Sequence, residues 1–538
     1  MTVRRSPYLE ISHARRGCSD GVSHCHHSNR SGKRDPGNRV SPPALACGPT
    51  GQADPPPSRR AGRTGGGYCG RSPIEQRGAP VKVGPGRRVS VWWTVLPVLA
   101  LLVVAGVVLA VAISVDSDSS STPASTAPPR PQPVVFSPEV APVGAAAPQP
   151  TAAGVTAAIT PAVRAPALGT VTGQVADAIT GEVLWSQDPA RPVTPASTTK
   201  ILTAAAALLT LPADQRLTTT VVVDAAGRAV LVGGGDPTIS TRPIGADTLF
   251  TDAARIADLA AQIKKSGVRV TSLAVDTSRF TGPDFAPSWE RADIAGGSIA
   301  PVQAVMTDSG RIQPTDISPR TPAPALAAGR ALADALGLPD ATVSTALAPA
   351  AARQIASVRS APLMTRLRDM MVQSDDVLAE TIAIEVAQAT GGQPSLEGAA
   401  TAVPSVLRGA GIDLTGVSLA DTNGLSTDNR IPAVILDKLL LAAAGSGNAK
   451  LRPLLDLLPI SGATGTLSER FAGSATSAAG WVRAKTGTLT GVNTLAGIVQ
   501  TKDNRVLTFT LMSTGTSPDQ ARPALDTVVS RLRACGCR

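Results

Sequence analysis

The residues best suited to covalent chemistry begin with PASTTK, residues 195–200. Ser197 stands three positions before Lys200, a spacing that puts both side chains on one face of a helix. Ser197 would lie in the first turn, where free backbone N–H groups and the helix dipole stabilise a developing oxyanion. A serine nucleophile also needs a base. The histidines are His13, His24, His26 and His27, so nothing after residue 27 can complete a Ser-His-Asp triad. Lys200 is the leading candidate, provided partial burial and cationic neighbours disfavour its charge. Taken alone, the hexapeptide is more simply read as a helix-capping serine and a solvated lysine.

Two later segments supply partners. QSDDVLAETIAIEVAQATGG places Ser374, Asp375 and Asp376 at a helix start, and WVRAKTGT places Lys485, Thr486, Gly487 and Thr488 on a strand. A lysine on an edge strand offers a cation to a substrate carboxylate. Gly487 would let the strand approach a ligand closely, and a free strand edge can pair with a peptide. The ordered set Ser197-x-x-Lys200, Ser374-x-Asp376 and Lys485-Thr486-Gly487 resembles the three-motif signature of penicillin-binding proteins and serine β-lactamases. GGGDPTIS (233–240), VDTSRF (275–280), ADTNGLSTDNRI (420–431) and LPISGATGTLSERF (458–471) narrow this. They resemble the D-alanyl-D-alanine carboxypeptidase/endopeptidase family, the low-molecular-mass class C penicillin-binding proteins. The resemblance runs from about residue 168 to 535. Ser374 follows Ser197 by 177 positions. That gap exceeds what a class A β-lactamase needs and leaves room for the inserted domains this family carries.

The resemblance implies an α/β (α+β) fold of the serine β-lactamase/penicillin-binding transpeptidase type, with an insertion between the first and second motifs. It also implies roles. Ser197 would attack the carbonyl of the D-Ala-D-Ala bond while Lys200 takes its proton. Ser374 would relay a proton to the leaving D-alanine. Lys485 and Thr486 would bind the terminal carboxylate, and the N–H groups of Ser197 and Thr488 would form the oxyanion hole. Peptidoglycan stem peptides would be substrates, and β-lactams would acylate Ser197. No cofactor or metal is expected.

One position departs from the family. Its second motif ends in Asn, whose amide both donates and accepts, whereas Asp376 as a carboxylate only accepts. It would favour a charged Lys200 or Lys485 and weaken a lysine base. We expect Asp376 to stand beside the reacting groups, tuning activity. The alternative is that Asp375 and Asp376 are ordinary acids at a helix N-terminus. The Asp421 to Ser426 segment and the GGGDP segment read as structural, with Gly424 shaping the cleft rim.

These residues need elements to hold them. GQVADAITGEVLWSQDP predicts a hairpin, and KILTAAAALLTL a helix. TTTVVVD and VRVTSLAVD predict strands, and FTDAARIADLAAQIKKSG an amphipathic helix closed by Gly267. WVRAKTGTLTGVNTLAGIVQ and NRVLTFTLMSTG predict paired strands before a terminal helix, PDQARPALDTVVSRLRA. The expected catalytic domain comprises residues 166–214 and 349–538, with an insertion at 215–348. Ahead of it, residues 1–88 read as a disordered basic region and 116–165 as a Pro/Ala/Ser-rich tether. Between them, 89–115 predict a transmembrane helix, since residues 91–115 are 25 in a row without a charge. Arg87 and Arg88 precede the span, which leaves the catalytic body on the extracytoplasmic side of a single-pass membrane protein.

Charge and cysteine usage exclude other classes. Residues 1–90 carry 16 Lys+Arg against 5 Asp+Glu while the whole chain is +10, so the remainder is nearly neutral. A nucleic-acid partner therefore finds no support in the body. Cys18, Cys25, Cys47 and Cys69 precede the body, and Cys535 and Cys537 end the chain. HCHH (24–27) lacks a second ligand pair at finger-like spacing. Two alternatives to a DD-peptidase are a β-lactamase and a catalytically weak wall-binding or sensor protein of the same fold.

Overall fold

The computed structural model describes residues 147–445 and 447–538. The expected basic region, the membrane span and residues 116–146 of the tether lie outside the described residues. Among the described residues, no helix is long and apolar enough to cross a membrane.

The strands, in chain order, are β1 (Thr170–Asp177), β2 (Val183–Gln187), β3 (Pro192–Val193), β4 (Thr218–Val223), β5 (Arg228–Val232) and β6 (Ser272–Asp276). They continue with β7 (Val343–Thr345), β8 (Arg353–Arg359), β9 (Ile431–Pro432), β10 (Val482–Leu489), β11 (Val492–Gln500) and β12 (Val506–Thr514). One five-stranded sheet has the order β10-β11-β12-β1-β2, antiparallel throughout. The expected hairpin and the C-terminal strand pairs are all in it. β1 pairs with β12, so the two ends of the body close one sheet and β10 becomes its edge.

Each face of that sheet is covered. Val155 and Ile159 of helix Ala152–Val163 pack with Leu525, Val528 and Leu532 of helix Pro518–Ala534 and with Leu495 and Phe509 of the sheet. Gln174 of β1 donates to Asp437 of helix Ala433–Ala444 at 2.7 Å. A second cluster is built on helices Lys200–Thr210, Leu363–Gln373, Asp376–Ala389 and Leu396–Gly409. Helix Asp376–Ala389 buries nearly its whole circumference there, so it cannot shift without disturbing the core.

The insertion forms its own five-stranded sheet, order β7-β6-β5-β4-β8. β5-β6 and β6-β7 are parallel. Such pairs need long crossovers, which carry helices Ile256–Lys265 and Pro324–Leu336.

Three expectations change. Composition extends the tether to residue 165, yet residues 152–163 are a helix whose Val155 and Ile159 are fully buried. Thr151 caps it by accepting from the Gly154 N–H, and the Thr151 N–H reaches the Cys537 carbonyl at 2.7 Å. The insertion is expected to end at residue 348, but β8 pairs with β4 and carries its sheet to Arg359. The helix expected from residue 250 starts at Ile256. Thr251 is held by the Asp369 carboxylate in a turn with Asp252 at φ +53°, and Ser240 exchanges backbone hydrogen bonds with Ala254 and Ile256, which keeps 250–255 out of the helix.

Candidate active site

Ser197 sits in the 3₁₀ turn Ala196–Thr199, which runs directly into helix Lys200–Thr210. Ala196 has φ +49°, a left-handed backbone that a side chain disfavours. Close packing holds it there. Gly424 (φ +93°) backs onto this turn, and a Cβ on it would stand 2.0 Å from the Ala196 oxygen. Lys200 is fully buried. Its Nζ donates to Ser197 Oγ at 3.1 Å, to Asp376 Oδ1 at 2.5 Å and to the Asn423 carbonyl at 2.7 Å. The nucleophile and its candidate base are thus in hydrogen-bond contact, and Asp376 pairs with Lys200.

Ser374 and Asp376 stand at a junction of two helices. Ser374 ends helix Leu363–Gln373 with φ +60° and ψ 32°, and Asp375 then caps helix Asp376–Ala389 by accepting from the Leu378 N–H at 2.8 Å. The left-handed Ser374 turns the chain sharply, so that Ser374 lines the cleft while Asp376 meets Lys200. Asp375 is buried and receives Arg311 Nη1 at 2.8 Å and Arg320 Nη2 at 3.1 Å. Both arginines come from the expected insertion. Burial alone would raise the Asp375 carboxyl, but the two guanidiniums overcome it and hold the group well below the usual carboxylate range.

The opposite wall is the edge strand β10. Lys485 is also fully buried. Its Nζ donates to Ser374 Oγ at 2.8 Å and to the Thr486 carbonyl at 2.9 Å. Burial pushes the Lys485 ammonium far down, helped by the Lys200 charge and opposed by Asp376. Thr486 and Thr488 are two residues apart on the strand and share one face. Thr486 Oγ1 donates to Thr466 Oγ1 at 2.8 Å. Packing alone already requires Gly487. A Cβ there would meet Thr494 Oγ1 at 2.2 Å and the Pro195 oxygen at 2.8 Å.

Between the walls lies a cavity of about 350 Å³, lined by Ser197, Ser374, Thr466, Thr486, Thr488, Arg470 and Arg522. Lys200 and Asp376 lie behind Ser197, and Lys485 lies behind Ser374. Asp376, expected beside the reacting groups, pairs with Lys200. Its carboxyl is pushed up by burial, with Lys200 opposing.

The architecture and site have close parallels. The model of the D-Ala-D-Ala carboxypeptidase 3 (S13) family matches residues 155–322 and 313–535. Carboxypeptidase DacB of Mycolicibacterium smegmatis is 52% identical over 424 residues, covering 77% of this chain and 91% of that protein. The chain belongs to the D-Ala-D-Ala carboxypeptidase 3 (S13) family. Carboxypeptidase Rv3627c of Mycobacterium tuberculosis is 51% identical, covering 76% of this chain and 90% of that protein. The crystal structure of penicillin binding protein 4 (dacB) from Haemophilus influenzae superposes with a TM-score of 0.58. That match has 21% identity and covers 71% of this chain and 97% of that one. It establishes the fold.

Sequence reasoning missed several parts of this S13 carboxypeptidase site. Asn423 reads in the sequence as part of a structural turn, yet its carbonyl holds Lys200. Glu380 lies one turn beyond Asp376 and accepts from Thr422 N–H at 2.8 Å and Asn423 Nδ2 at 2.7 Å. Burial and the neighbouring Asp421 push its carboxyl up to about 8. The i, i+4 spacing of Asp376 and Glu380 was the available signal. Arg470 and Arg522 carried none, because an arginine in a loop or a terminal helix ordinarily reads as solvated surface.

Proposed function

We propose that Ser197 is the nucleophile of a serine DD-peptidase reaction on peptidoglycan stem peptides. The observation that carries this is the 3.1 Å contact between Lys200 Nζ and Ser197 Oγ on the cavity wall. Lys200 acts as base once its own proton has crossed to Asp376, 2.5 Å away. Ser197 Oγ then bonds to the carbonyl carbon of the penultimate D-alanine as its proton passes to Lys200. The C–N bond breaks, the released amine of the terminal D-alanine takes a proton through Ser374, and Ser197 keeps the acyl group as an ester. Water hydrolyses that ester and Ser197 regains its proton. Backbone N–H groups of Ser197 and Thr488 stabilise the oxyanion. Lys485 orients Ser374 through its Nζ contact, while Thr486 meets the substrate directly.

The same ester chemistry serves removal of a terminal D-alanine and cleavage of a cross-link. β-Lactams, which resemble the D-Ala-D-Ala terminus, acylate Ser197. Residues 91–115 anchor the chain in the membrane, with the catalytic body outside and the following Pro-rich stretch as its tether. The test is incubation of the full chain with penicillin, followed by intact-mass measurement and peptide mapping. One adduct on the peptide containing Ser197, together with D-alanine release from a pentapeptide, is expected. An adduct elsewhere would sink the assignment.

A further inference from the structure

We propose that Arg522 is the cation that receives the free C-terminal carboxylate of the peptide. This rests on Ser197 as the nucleophile. The motif lysine is the residue expected to meet that carboxylate, but Lys485 is fully buried behind Ser374, its Nζ donating to Ser374 and to the Thr486 carbonyl. It is not part of the cavity wall. Two arginines are. Arg470 is already committed, since its Nε and Nη2 reach the Asp526 carboxylate at 2.8 and 2.6 Å. Arg522 is exposed, and among the described residues it has no acidic partner. It stands near the start of helix Pro518–Ala534 and donates from Nη2 to Thr488 Oγ1 at 3.3 Å.

That contact puts a free guanidinium edge beside the strand carrying the third motif. The hydroxyls of Thr466, Thr486 and Thr488 line the same cavity. A carboxylate needs several donors, and a guanidinium supplies two in parallel. Arg522 with the hydroxyls of Thr466 and Thr488 forms such a set, in a cavity that also holds Ser197. The hydroxyls alone carry no charge and would not tell an acid terminus from an amide. Arg522 therefore sets the preference for peptides ending in a free acid.

The experiment compares a D-Ala-D-Ala peptide with its C-terminal amide on wild type, R522A, R522K and S197A. R522A should lose roughly ten- to hundredfold in kcat/KM on the acid, mainly through KM. It should lose much less on the amide, and R522K should recover part of the difference. An unchanged acid-over-amide preference in R522A, with S197A inactive on both peptides, overturns the Arg522 assignment and leaves Ser197 standing. Hydrolysis retained by S197A overturns both.

Discussion

The two walls of the cleft each bury a lysine completely, and they compensate it differently. On the helical side the charges nearest the buried lysine are paired. Lys200 faces Asp376, and Asp375 faces Arg311 and Arg320. On the strand side, Lys485 is held by a hydroxyl and a backbone carbonyl, and among the described residues no carboxylate lies within ion-pair distance. Burial costs a lone ammonium far more than a paired one. The helical corner therefore holds its lysine in direct contact with a carboxylate, a short path for a proton that suits a base. The strand wall holds a lysine whose charged form burial disfavours, fixed against Ser374, which suits orientation of that hydroxyl. Equal burial yields unequal chemistry because the neighbours differ.

The largest effect should come from breaking the compensated corner. Asp375→Ala leaves two buried guanidiniums without their anion and removes a helix cap. It should cost about 3–5 kcal/mol, measured by urea denaturation. A loss under about 1 kcal/mol would show that the corner stands without its ion triad. Next is Gly424→Ala, which forces a side chain onto φ +93° and against the Ala196 oxygen. Overpacking of this kind costs about 1–3 kcal/mol. Acylation of Ser197 should fall further than stability, because the displaced turn carries the nucleophile. Equal losses in both would place the turn's rigidity outside catalysis.

The strand wall was the more legible of the two. WVRAKTGTLTGVNTLAGIVQ reads as paired strands and forms β10 and β11, so the place of Lys485 on a strand was visible at once. The helical corner was half visible. Asp375 reads as a helix acid and does cap one, but its arginines come from a stretch at 311–320 with no regular periodicity to place them. Contacts 55 and 64 residues apart leave no local trace. The helix at 152–163 failed for another reason. Its Val155, Ile159, Ala162 and Val163 have helical spacing, but an Ala, Thr and Pro composition continuous with the tether masked it.

Glu380 tests whether compensation in the helical corner is complete. Among the described residues it has no ion-pair partner, and burial with Asp421 lifts its carboxyl to about 8, opposed by Thr422 and Lys200. A carboxyl raised in the folded state contributes stability that is fully present below its ordinary value near 4.5. That contribution is lost as pH climbs from there through about 8, since the unfolded chain releases the proton first. Wild type should therefore lose up to about 1.4 kcal/mol per pH unit across that window relative to Glu380→Gln. Thermal melts of both proteins at pH 5 and pH 8 would show it. Parallel Tm changes would mean that Glu380 stays ionised and another group compensates it.

Asp376→Asn should have the smallest effect on rate and the clearest effect on pH dependence. The amide keeps the volume and can still accept from Lys200, so acylation on the high-pH plateau should stay within about tenfold of wild type. The proton inventory changes more. With Asp376 present, Lys200 and the carboxyl hold one proton between them across a 2.5 Å contact, and the base is freed by a local transfer. That state survives on the acid side until a second proton binds the pair. In the amide variant the same proton has to leave for solvent. The acid limb of the acylation profile should then move to higher pH, read from penicillin acylation rates between pH 5 and 10. A limb that stays in place or moves lower would mean that Asp376 only anchors the ammonium, and that the proton leaves Lys200 by another route.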